Sequence, residues 1–432
     1  MLRWIGENFF KGMSIVSAVL LIFVGGMVVG TFQWGPAHLV VVAKDVLKDL
    51  KRNAGAYFQD VPTQHLMPNR FGRSGVEVSA PDKVQPGVTF VTGLFGRKLG
   101  ARLYAANGEL LHEWPINFFS IAAEEMAYPF DALIHGDILY ENGDFVANFD
   151  GRGIVRSSAC GEILWQNRDR SHHSIDVDDN GDLWTPVYTA TYNEPELTSS
   201  PFEFDAIARF DANTGEKLEQ IDLVQALIKS DLVGLALANS LKLNDMIHLN
   251  DAEVLSAEMA DAFPMFEAGD IALSSRNYSQ IWVLDGKTHT VKWFHMGAVL
   301  GPHDPDFQPD GTITIFDNRP GGAATAENGY KGHRGGSRIV SVDPATGKHT
   351  IAYASDSRNT FYTAYRGKHQ VLENGNILIT ETDAGRVFEV TPDGEVVWSF
   401  INGFDDTQVG WVMKATKYPE SFGDFAKAGC PQ

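Results

Sequence analysis

Short stretches of alternating apolar and polar residues, separated by glycine turns, fill the chain from about Thr89 onwards. A period of two is typical of β-strands with one buried face, and Asn-Gly or Asp-Gly between two such stretches is typical of tight hairpins. One hairpin recurs, in which the first strand ends at a turn glycine and the second often contains Trp. Its copies lie at 101–114, 153–165, 206–218, 280–293, 338–353 and 386–398.

The spacing of these hairpins indicates a repeat architecture. Gly108, Gly161 and Gly215 lie 53 and 54 residues apart, close to the length of a four-stranded blade. A second hairpin precedes most copies, with turns at 142–143, 180–181, 269–270, 310–311 and 374–375. Six blades that close on themselves leave no exposed sheet edge, so the pattern predicts an all-β, six-bladed β-propeller. A pair of β-sandwiches and a seven-bladed ring are the alternatives.

Two stretches with helical spacing interrupt the strands, at 223–241 and at 256–266. We expect both to be helical insertions at one rim of the propeller, where long inserts cover the channel or bind a partner. The predicted propeller spans residues 87–413, and 414–432 form a C-terminal tail.

The N-terminal part of the chain has a different pattern. Met13 to Phe32 is a nearly continuous apolar run, which predicts a transmembrane signal anchor at 13–34 behind a short flank at 1–12. A cleaved signal peptide is the alternative. Residues 35–86 are predicted to form a membrane-proximal helix and a linker. Because large downstream domains are translocated largely regardless of flanking charge, we expect a single pass through a bacterial-type inner membrane, with the propeller in the periplasm.

Charge excludes one class of partner. The chain has 55 acidic against 35 basic residues and no basic run, so nucleic-acid binding is not expected. An anionic small molecule stays compatible with this balance, because a local group of Arg and His sets the potential inside a pocket. Cys160 and Cys430 are too far apart in sequence for a CxxC metal site. They form either a disulfide or two buried thiols.

Histidines recur at matched positions of the predicted inner strands. His173 precedes the turn residue Asn180 by seven positions (180 − 173), and His303 precedes Asp310 by seven (310 − 303). His248 begins the corresponding strand between them, and His369 begins the sixth inner strand in a shifted register. A single histidine at such a place is usually satisfied by a neighbouring strand, but three matched ones predict a common site in the channel.

The order of motifs around these histidines resembles the aryl-sulfate sulfotransferase family of bacterial periplasmic proteins. The resemblance runs from about Gly87 to Asn402 and rests on HHSIDVDDNGDLW, HLND, SSRN, HDPDF and FDN. It implies a six-bladed propeller that moves a sulfuryl group from a phenolic sulfate ester to a phenol through a sulfated histidine, without a cofactor or a metal ion.

Residue roles follow from the same resemblance. His303 is expected to be the nucleophile, with His173, His248 and Arg276 as further catalytic residues. The resemblance also makes Asn250 a substrate-binding residue, and Asn318 and Arg319 at the FDN motif and His369 at the start of the sixth inner strand are expected to bind substrate as well. Arg319 stands where the family often has Gly.

A different class of function remains open. A non-catalytic, membrane-anchored propeller could act as a binding or assembly module for another envelope protein or as a homo-oligomer. Two further propeller enzymes, a quinoprotein dehydrogenase and a calcium-dependent lactonase, are weaker alternatives. Calcium needs convergent carboxylate and carbonyl oxygens, whereas the matched positions here carry imidazoles.

Overall fold

Tight turns with glycine in the left-handed region separate the strands. Gly143, Gly181, Gly311 and Gly375 close equivalent hairpins with φ between 81° and 83°, a conformation that is strained for other residues. A computed structural model of the chain describes residues 17, 20–26, 65–96, 98–115, 133–189, 205–238, 246–321 and 334–430. Residues 65–432 form one compact unit.

The strands of this unit follow one another in chain order. The first are β1 (Leu66–Pro68), β2 (Gly75–Val78), β3 (Val88–Phe95), β4 (Lys98–Ala105), β5 (Leu110–Pro115), β6 (Ile134–Leu139), β7 (Phe145–Phe149), β8 (Gly153–Ser157) and β9 (Ile163–Asn167). Next come β10 (Asp176–Val177), β11 (Leu183–Tyr188), β12 (Asp205–Phe210), β13 (Lys217–Asp222), β14 (Leu249–Val254), β15 (Ile271–Ser275), β16 (Gln280–Leu284) and β17 (Val291–Met296). The last are β18 (Pro302–Phe307), β19 (Ile313–Asp317), β20 (Arg338–Val342), β21 (His349–Ala354), β22 (Lys368–Val371), β23 (Ile377–Glu381), β24 (Arg386–Val390), β25 (Val396–Ile401), β26 (Gln408–Gly410) and β27 (Val412–Tyr418).

Six antiparallel sheets form the blades, which confirms the predicted six-bladed β-propeller. Blade one has the strand order β27-β3-β4-β5. Blades two to five are β6–β9, β10–β13, β14–β17 and β18–β21, and blade six is β22–β25 with β2 on its outer edge. The recurring hairpins of the sequence are the two outer strands of each blade.

The C-terminal strand closes the ring and the N-terminal strand widens blade six, so the propeller extends beyond the predicted boundaries at both ends. The C-terminal strand β27 pairs with β3 as the innermost strand of blade one, although 414–432 was predicted to be a tail. The N-terminal strand β2 pairs with β25, although it lies in the predicted linker. Neither strand belongs to a repeated hairpin, so its sequence lacks the signal that marks the others. A disulfide joins Cys160 in blade two to Cys430 behind the last strand.

Tryptophans of the outer strands link neighbouring blades at three junctions of the ring. The indole N–H of Trp114 in blade one donates to the carbonyl of Gly143 in blade two, and Trp165 in blade two donates to Ala212 in blade three. Trp398 in blade six donates to Ala106 in blade one. The buried core lies between neighbouring blades, and the indoles satisfy turn carbonyls at its edge. This accounts for the Trp that recurs in the sequence pattern.

The helical insertions begin at the predicted positions. The first contains α1 (Leu223–Lys229) and α2 (Val233–Ala238), and the second contains α3 (Ala257–Ala260). Asp222 caps α1 by accepting from two backbone N–H groups. Leu223 and Leu227 of α1 are fully buried in the core between blades three and four. This helix therefore extends the core rather than covering the channel.

Most of the predicted signal anchor at 13–34 lies outside the described residues. Within it, residues 20–26 are described and are helical. Within the part of the chain that is described, no helix has both the length and the apolar character needed to cross a bilayer. The membrane-proximal segment at 35–64 lies outside the described residues altogether.

Candidate active site

Irregular backbone turns polar side chains into the central channel. The pairing register shifts at the channel end of β6, β14, β18 and β27, the innermost strands of four blades. Several non-glycine residues there lie in the left-handed region: His173 (φ 59°), His248 (φ 51°), Asp304 (φ 53°) and Arg366 (φ 65°). This conformation costs about 1–2 kcal/mol per residue relative to ordinary backbone. Such strain is concentrated at functional sites because regular strand would point the side chains elsewhere.

A cavity of about 280 Å³ opens where these residues meet, and we name it the histidine chamber. Its lining residues are His135, Asp150, His173, Tyr188, His248, Arg276, His303, Tyr365 and Arg366. The His173 ring lies 5.6 Å from that of His248 and 6.1 Å from that of His303, measured between centroids. The four residues predicted to be catalytic, which come from blades three, four and five, therefore share one cavity.

The protonation of His303 follows from its neighbours. Its Nδ1 lies 2.7 Å from Asn318 Oδ1, which only accepts, so Nδ1 carries the proton. Its Nε2 accepts a hydrogen bond of 3.1 Å from the backbone N–H of Arg366. Burial lowers the pKa of His303 well below its usual range, and the charge of Lys368 lowers it further. His303 is therefore a neutral imidazole with its lone pair on Nε2, directed at the segment that carries Arg366.

Asn318 holds this imidazole, and Asn250 lines a narrow cavity beside it together with His135 and His173, so that their role in binding substrate stays a prediction. The Asn250 Nδ2 donates to the carbonyl of Pro302, next to His303 in the chain, and makes no hydrogen bond to the protonated Nδ1 that lies 3.1 Å away. Asn318 also donates to the carbonyls of Thr363 and Arg366. Both amides are fully buried, and Asn318 acts on the site through His303.

Arg319 and His369, the other predicted substrate-binding residues, lie outside the histidine chamber. The Arg319 guanidinium is within 3.4 Å of the carbonyl of Gly336 on the next strand connection. His369 binds Asp304 through Nδ1 and Thr314 through Nε2, each at 2.8 Å. The physical reason is register: seven residues before Asn374 stands Gly367, so blade six presents a glycine where His173 and His303 face the channel.

Five lining residues escaped the sequence prediction: His135, Asp150, Tyr188, Tyr365 and Arg366. His135 precedes Asn142 by seven positions (142 − 135), the spacing already seen for His173 and His303, so the register signal was present in blade two. Asp150 lies at the end of the next strand, with Oδ2 3.8 Å from His135 Nε2. Arg366 has no motif around it, and only its left-handed backbone brings it to the chamber.

His173 is the end of a chain of buried polar groups. Its Nδ1 lies 2.7 Å from Nδ1 of His172, and His172 Nε2 lies 3.4 Å from Asp205 Oδ1. Tyr188 stacks on His172 at 3.9 Å between ring centroids. Burial and the surrounding imidazoles lower the pKa of His173 well below its usual range. The chain fixes the ring of His173 and leaves its Nε2 side towards the chamber.

A second cavity of about 190 Å³ lies further along the channel, and we name it the carboxylate chamber. Among its lining residues are Asp176, Asp251, Glu253, Asp304, Asp306, Lys368, His369 and Lys414. A narrow neck of about 10 Å³, lined by His303 and Lys368 among others, lies between the chambers. The Lys368 ammonium binds Asp251 and lies 2.8 Å from Asp304 Oδ1. Lys368 is therefore the boundary between the two cavities.

Carboxylates of this second chamber repel one another. Burial raises the pKa of Asp176 to about 6, and burial with neighbouring carboxylates raises the pKa values of Glu253 and Asp306 well above their usual range. Burial opposes ionisation of Asp304 as well, but Lys368 and His369 hold its pKa below the usual range. Asp251 also faces Lys368, but burial raises its pKa, so of these carboxylates Asp304 is the one whose pKa is lowered.

Donor atoms in both chambers have spacings that a metal ion can bridge. His135, Asp150 and His173 form one such group, and Asp304, Asp306 and His369 form the other. The first group shares its chamber with Arg276 and Arg366, whose positive charges favour an anion over a cation. In the second group both nitrogens of His369 already have partners. Imidazoles and guanidinium groups around a small cavity are suited to a sulfate or phosphate group.

Three comparisons with known proteins were informative to different degrees, and one of them identifies a family. A family model described as arylsulfotransferase (ASST) matches residues 137–403. No curated protein matches the chain. Among solved structures, a protein of unknown function from Bacteroides caccae is 10% identical, with a TM-score of 0.45 and coverage of 73% of this chain and 94% of its own. TolB from Acinetobacter baumannii is 12% identical, with a TM-score of 0.45 and coverage of 77% and 67%. A streptogramin B lyase is 13% identical, with a TM-score of 0.42 and coverage of 79% and 88%. Likeness at this level says nothing about activity.

Proposed function

Because the chain belongs to the arylsulfotransferase family, we propose that it transfers a sulfuryl group from a phenolic sulfate ester to a phenolic acceptor in the histidine chamber. The observation that carries this proposal is a buried, neutral His303 beside Arg276 and further imidazoles. A neutral imidazole is a nucleophile, and fixed cations bind the anion that it attacks. The cavity of about 280 Å³ is close to the lower end of the usual size range of small-molecule sites, which is about 300–1,000 Å³.

In the first half-reaction, Nε2 of His303 attacks the sulfur atom of the ester. The N–S bond forms as the bond between sulfur and the phenolic oxygen breaks, and the released phenoxide takes up a proton. The hydrogen bond from Arg366 N–H to Nε2 must open before the lone pair can reach sulfur. Asn318 accepts from Nδ1–H throughout and so stabilises the positive charge that develops on the ring.

The remaining groups act on the sulfuryl oxygens. Arg276, His173 and His248 surround the chamber and supply donors whose positions are set before the substrate arrives. Preorganised donors of this kind are worth more in the transition state than in water, because they need no reorganisation. In the second half-reaction, the oxygen of a phenol attacks sulfur, the N–S bond breaks and His303 is restored.

Peptide mass spectrometry after brief exposure to 4-nitrophenyl sulfate tests this route, with release of nitrophenolate followed in parallel. We expect a sulfuryl adduct on the peptide that contains His303, its loss on addition of phenol, and its absence in His303→Ala. The exposed His349, on the outermost strand of blade five, provides the control variant His349→Ala, which should retain the adduct. Absence of both adduct and release across a panel of aryl sulfates would sink the proposal.

One observation favours a second candidate, a non-catalytic binding module. The Nε2 lone pair of His303 is occupied by Arg366 N–H, as in a structural histidine. In that case aryl sulfates would bind, with a shift in melting temperature, but no adduct would form with any donor.

We also propose that the chain is anchored by residues 13–34 with the propeller outside the cytoplasm. The disulfide between Cys160 and Cys430 supports this location, because such bonds persist in oxidising compartments. Protease added to intact spheroplasts should degrade the propeller if it lies outside. Protection until the membrane is permeabilised would contradict this orientation.

A further inference from the structure

His135 is a buried imidazole that the chemistry above does not use. Its side chain is 5% exposed, and neither ring nitrogen has a hydrogen-bond partner. A buried polar atom without a partner costs about 1–3 kcal/mol, so such atoms need an explanation. Both His135 and the nearby Asp150 line the histidine chamber, where a ligand can supply the missing partner.

The backbone around His135 holds it close to the proposed sulfuryl site. The next residue is Gly136, where a Cβ atom would lie 2.5 Å from the backbone of Ser174 and Ile175. Only glycine allows blades two and three to approach this closely. As a result, the rings of His135 and His173 lie 4.9 Å apart in an edge-to-face arrangement.

We propose that His135, beside Asp150, is the acid and base that moves the phenolic proton in both half-reactions. This inference rests on the proposed function and adds a residue to it. The Asp150 carboxylate, with Oδ2 3.8 Å from His135 Nε2, stabilises the protonated ring by its charge.

The other imidazoles of the chamber with defined partners are less suited to this task. His303 has Asn318 at Nδ1 and Arg366 N–H at Nε2, and it is the proposed nucleophile. His173 has its Nδ1 bound to His172. Among the described lining residues, His135 therefore combines a carboxylate neighbour with two nitrogens that have no hydrogen bond.

The proton balance closes over one turnover. When the S–O bond breaks, the imidazolium of His135 gives its proton to the phenolic oxygen, and neutral phenol leaves. The neutral imidazole then takes the proton of the acceptor phenol as its oxygen bonds to sulfur and the N–S bond breaks. Each cycle thus returns His135 to its starting state without another reactant.

Without substrate the imidazole of His135 is neutral near pH 7, so the proton that it donates must be taken up when the donor ester binds. Burial lowers the pKa of His135 to about 4, while Asp150 acts to raise it and Arg366 to lower it. An aryl sulfate carries a negative charge into the chamber, which offsets the nearby guanidinium charge and favours the protonated form.

Leaving-group dependence is the readout that separates an acid from a merely structural residue. An unsubstituted phenol has a pKa of about 10, like the tyrosine side chain, so its departure needs a proton. Nitrophenol is far more acidic and leaves as the anion without help. In His135→Gln we expect adduct formation from phenyl sulfate to fall by about 10²- to 10⁴-fold, the usual contribution of general acid catalysis. Adduct formation from 4-nitrophenyl sulfate should change much less.

Asp150→Asn should show the same selective loss to a smaller extent, since it keeps the ring but weakens its protonated form. Added imidazole should restore turnover of phenyl sulfate in His135→Ala. The control is His349→Gln, which removes an exposed imidazole from blade five and should leave both donors unaffected. The adduct from 4-nitrophenyl sulfate shows in the same sample that each variant is folded.

Several outcomes would overturn the assignment. Equal losses with both donors would mean that His135 only supports the shape of the chamber. A second such outcome is a loss of turnover on dialysis against EDTA that Zn²⁺ restores. It would show that His135, Asp150 and His173 are ligands of a metal ion instead. If the unmodified protein forms no adduct from either donor, the proposed function itself fails, which is distinguishable from a selective loss in the variants.

Discussion

The two chambers of the channel are built from the same strands but carry opposite charge. The histidine chamber contains Arg276 and Arg366 with several imidazoles. The carboxylate chamber contains five acidic residues against Lys368, Lys414 and His369. Adjacent residues of β18 face different cavities, because His303 lines the first and Asp304 the second. A single bulge in one strand therefore separates a proposed catalytic group from an ion-pair network.

The carboxylate chamber affects the pKa of the proposed nucleophile His303. Lys368, which Asp251 and Asp304 hold in the neck, lowers the pKa of His303 by its charge. The carboxylates in turn keep the lysine protonated, since they raise its pKa. The acidic side thus acts on the other chamber indirectly, through one buried cation. We expect variants to separate accordingly into those that affect transfer and those that affect stability.

Substituting one residue in each chamber should give the largest difference in the rate of sulfuryl transfer. His303→Ala removes the proposed nucleophile and should lower the rate of sulfuryl transfer by at least about 10³-fold. Glu253→Gln, in the carboxylate chamber, should leave the rate within a few fold. Both are measured as kcat/KM with 4-nitrophenyl sulfate and phenol. A similar loss in both variants would mean that the two chambers are not functionally distinct.

Lys368→Met removes the cation that both chambers share. Breaking a buried ion pair leaves Asp251 and Asp304 without their partner, which should lower the free energy of unfolding by about 3–5 kcal/mol. The pKa of His303 should rise towards its usual value, because a cause of its depression is gone. Since the neutral ring is the reactive form, the acid limb of the rate profile should shift to higher pH. Urea unfolding and adduct formation between pH 4 and 8 measure these effects, and an unchanged acid limb would contradict the coupling.

Arg276→Ala tests anion binding in the histidine chamber without disturbing the carboxylate chamber. Loss of one preorganised donor to the sulfuryl oxygens should lower kcat by about 10²- to 10³-fold. Arg276→Lys should recover part of this loss, because the charge remains but the planar pair of donors does not. Stability should change little in either variant, in contrast to Lys368→Met. Equal rates in the Ala and Lys variants would indicate that the charge of Arg276 does not contribute.

The sequence predicts the propeller and the core of the site because both depend on repeated spacing. Turn glycines recur in every blade and Trp recurs in most outer hairpins, and they correspond to real hairpins and, for three of the tryptophans, to interblade hydrogen bonds. His173 and His303 share a register that the structure keeps. His135 obeys the same rule and was missed only because its blade lacks the motif that drew attention to the others.

Residues outside the repeat were harder to assign, for physical reasons. Asn318 and Asn250 lie beside the histidines in sequence or in space, but whether an amide faces a substrate or an imidazole depends on side-chain direction. His369 was assigned from its place at a strand start, although one bulge decides which chamber such a residue faces. The strands β2 and β27 close the ring from both termini and carry no repeat signal.

Asp176→Asn, in the carboxylate chamber, should have the smallest effect, and this effect should be on the free energy of unfolding alone. The pKa of Asp176 is raised to about 6, so the protonated carboxyl stabilises the fold fully below its ordinary value near 3.8, and this contribution is lost as the pH rises through 6. Asparagine keeps an oxygen that can accept from the backbone N–H of Val254, at 2.7 Å in the parent protein, but carries no charge. At pH 7.5 the variant should therefore be more stable by on the order of 1 kcal/mol, since the carboxyl is partly exposed to the chamber. At pH 4 the two proteins should have nearly equal free energies of unfolding, and the rate of sulfuryl transfer should be unchanged.

Urea unfolding at both pH values measures this, with the exposed Glu216→Gln as the control for removing one negative charge. A stability gain that is the same at both pH values would show that repulsion among the carboxylates is not its cause.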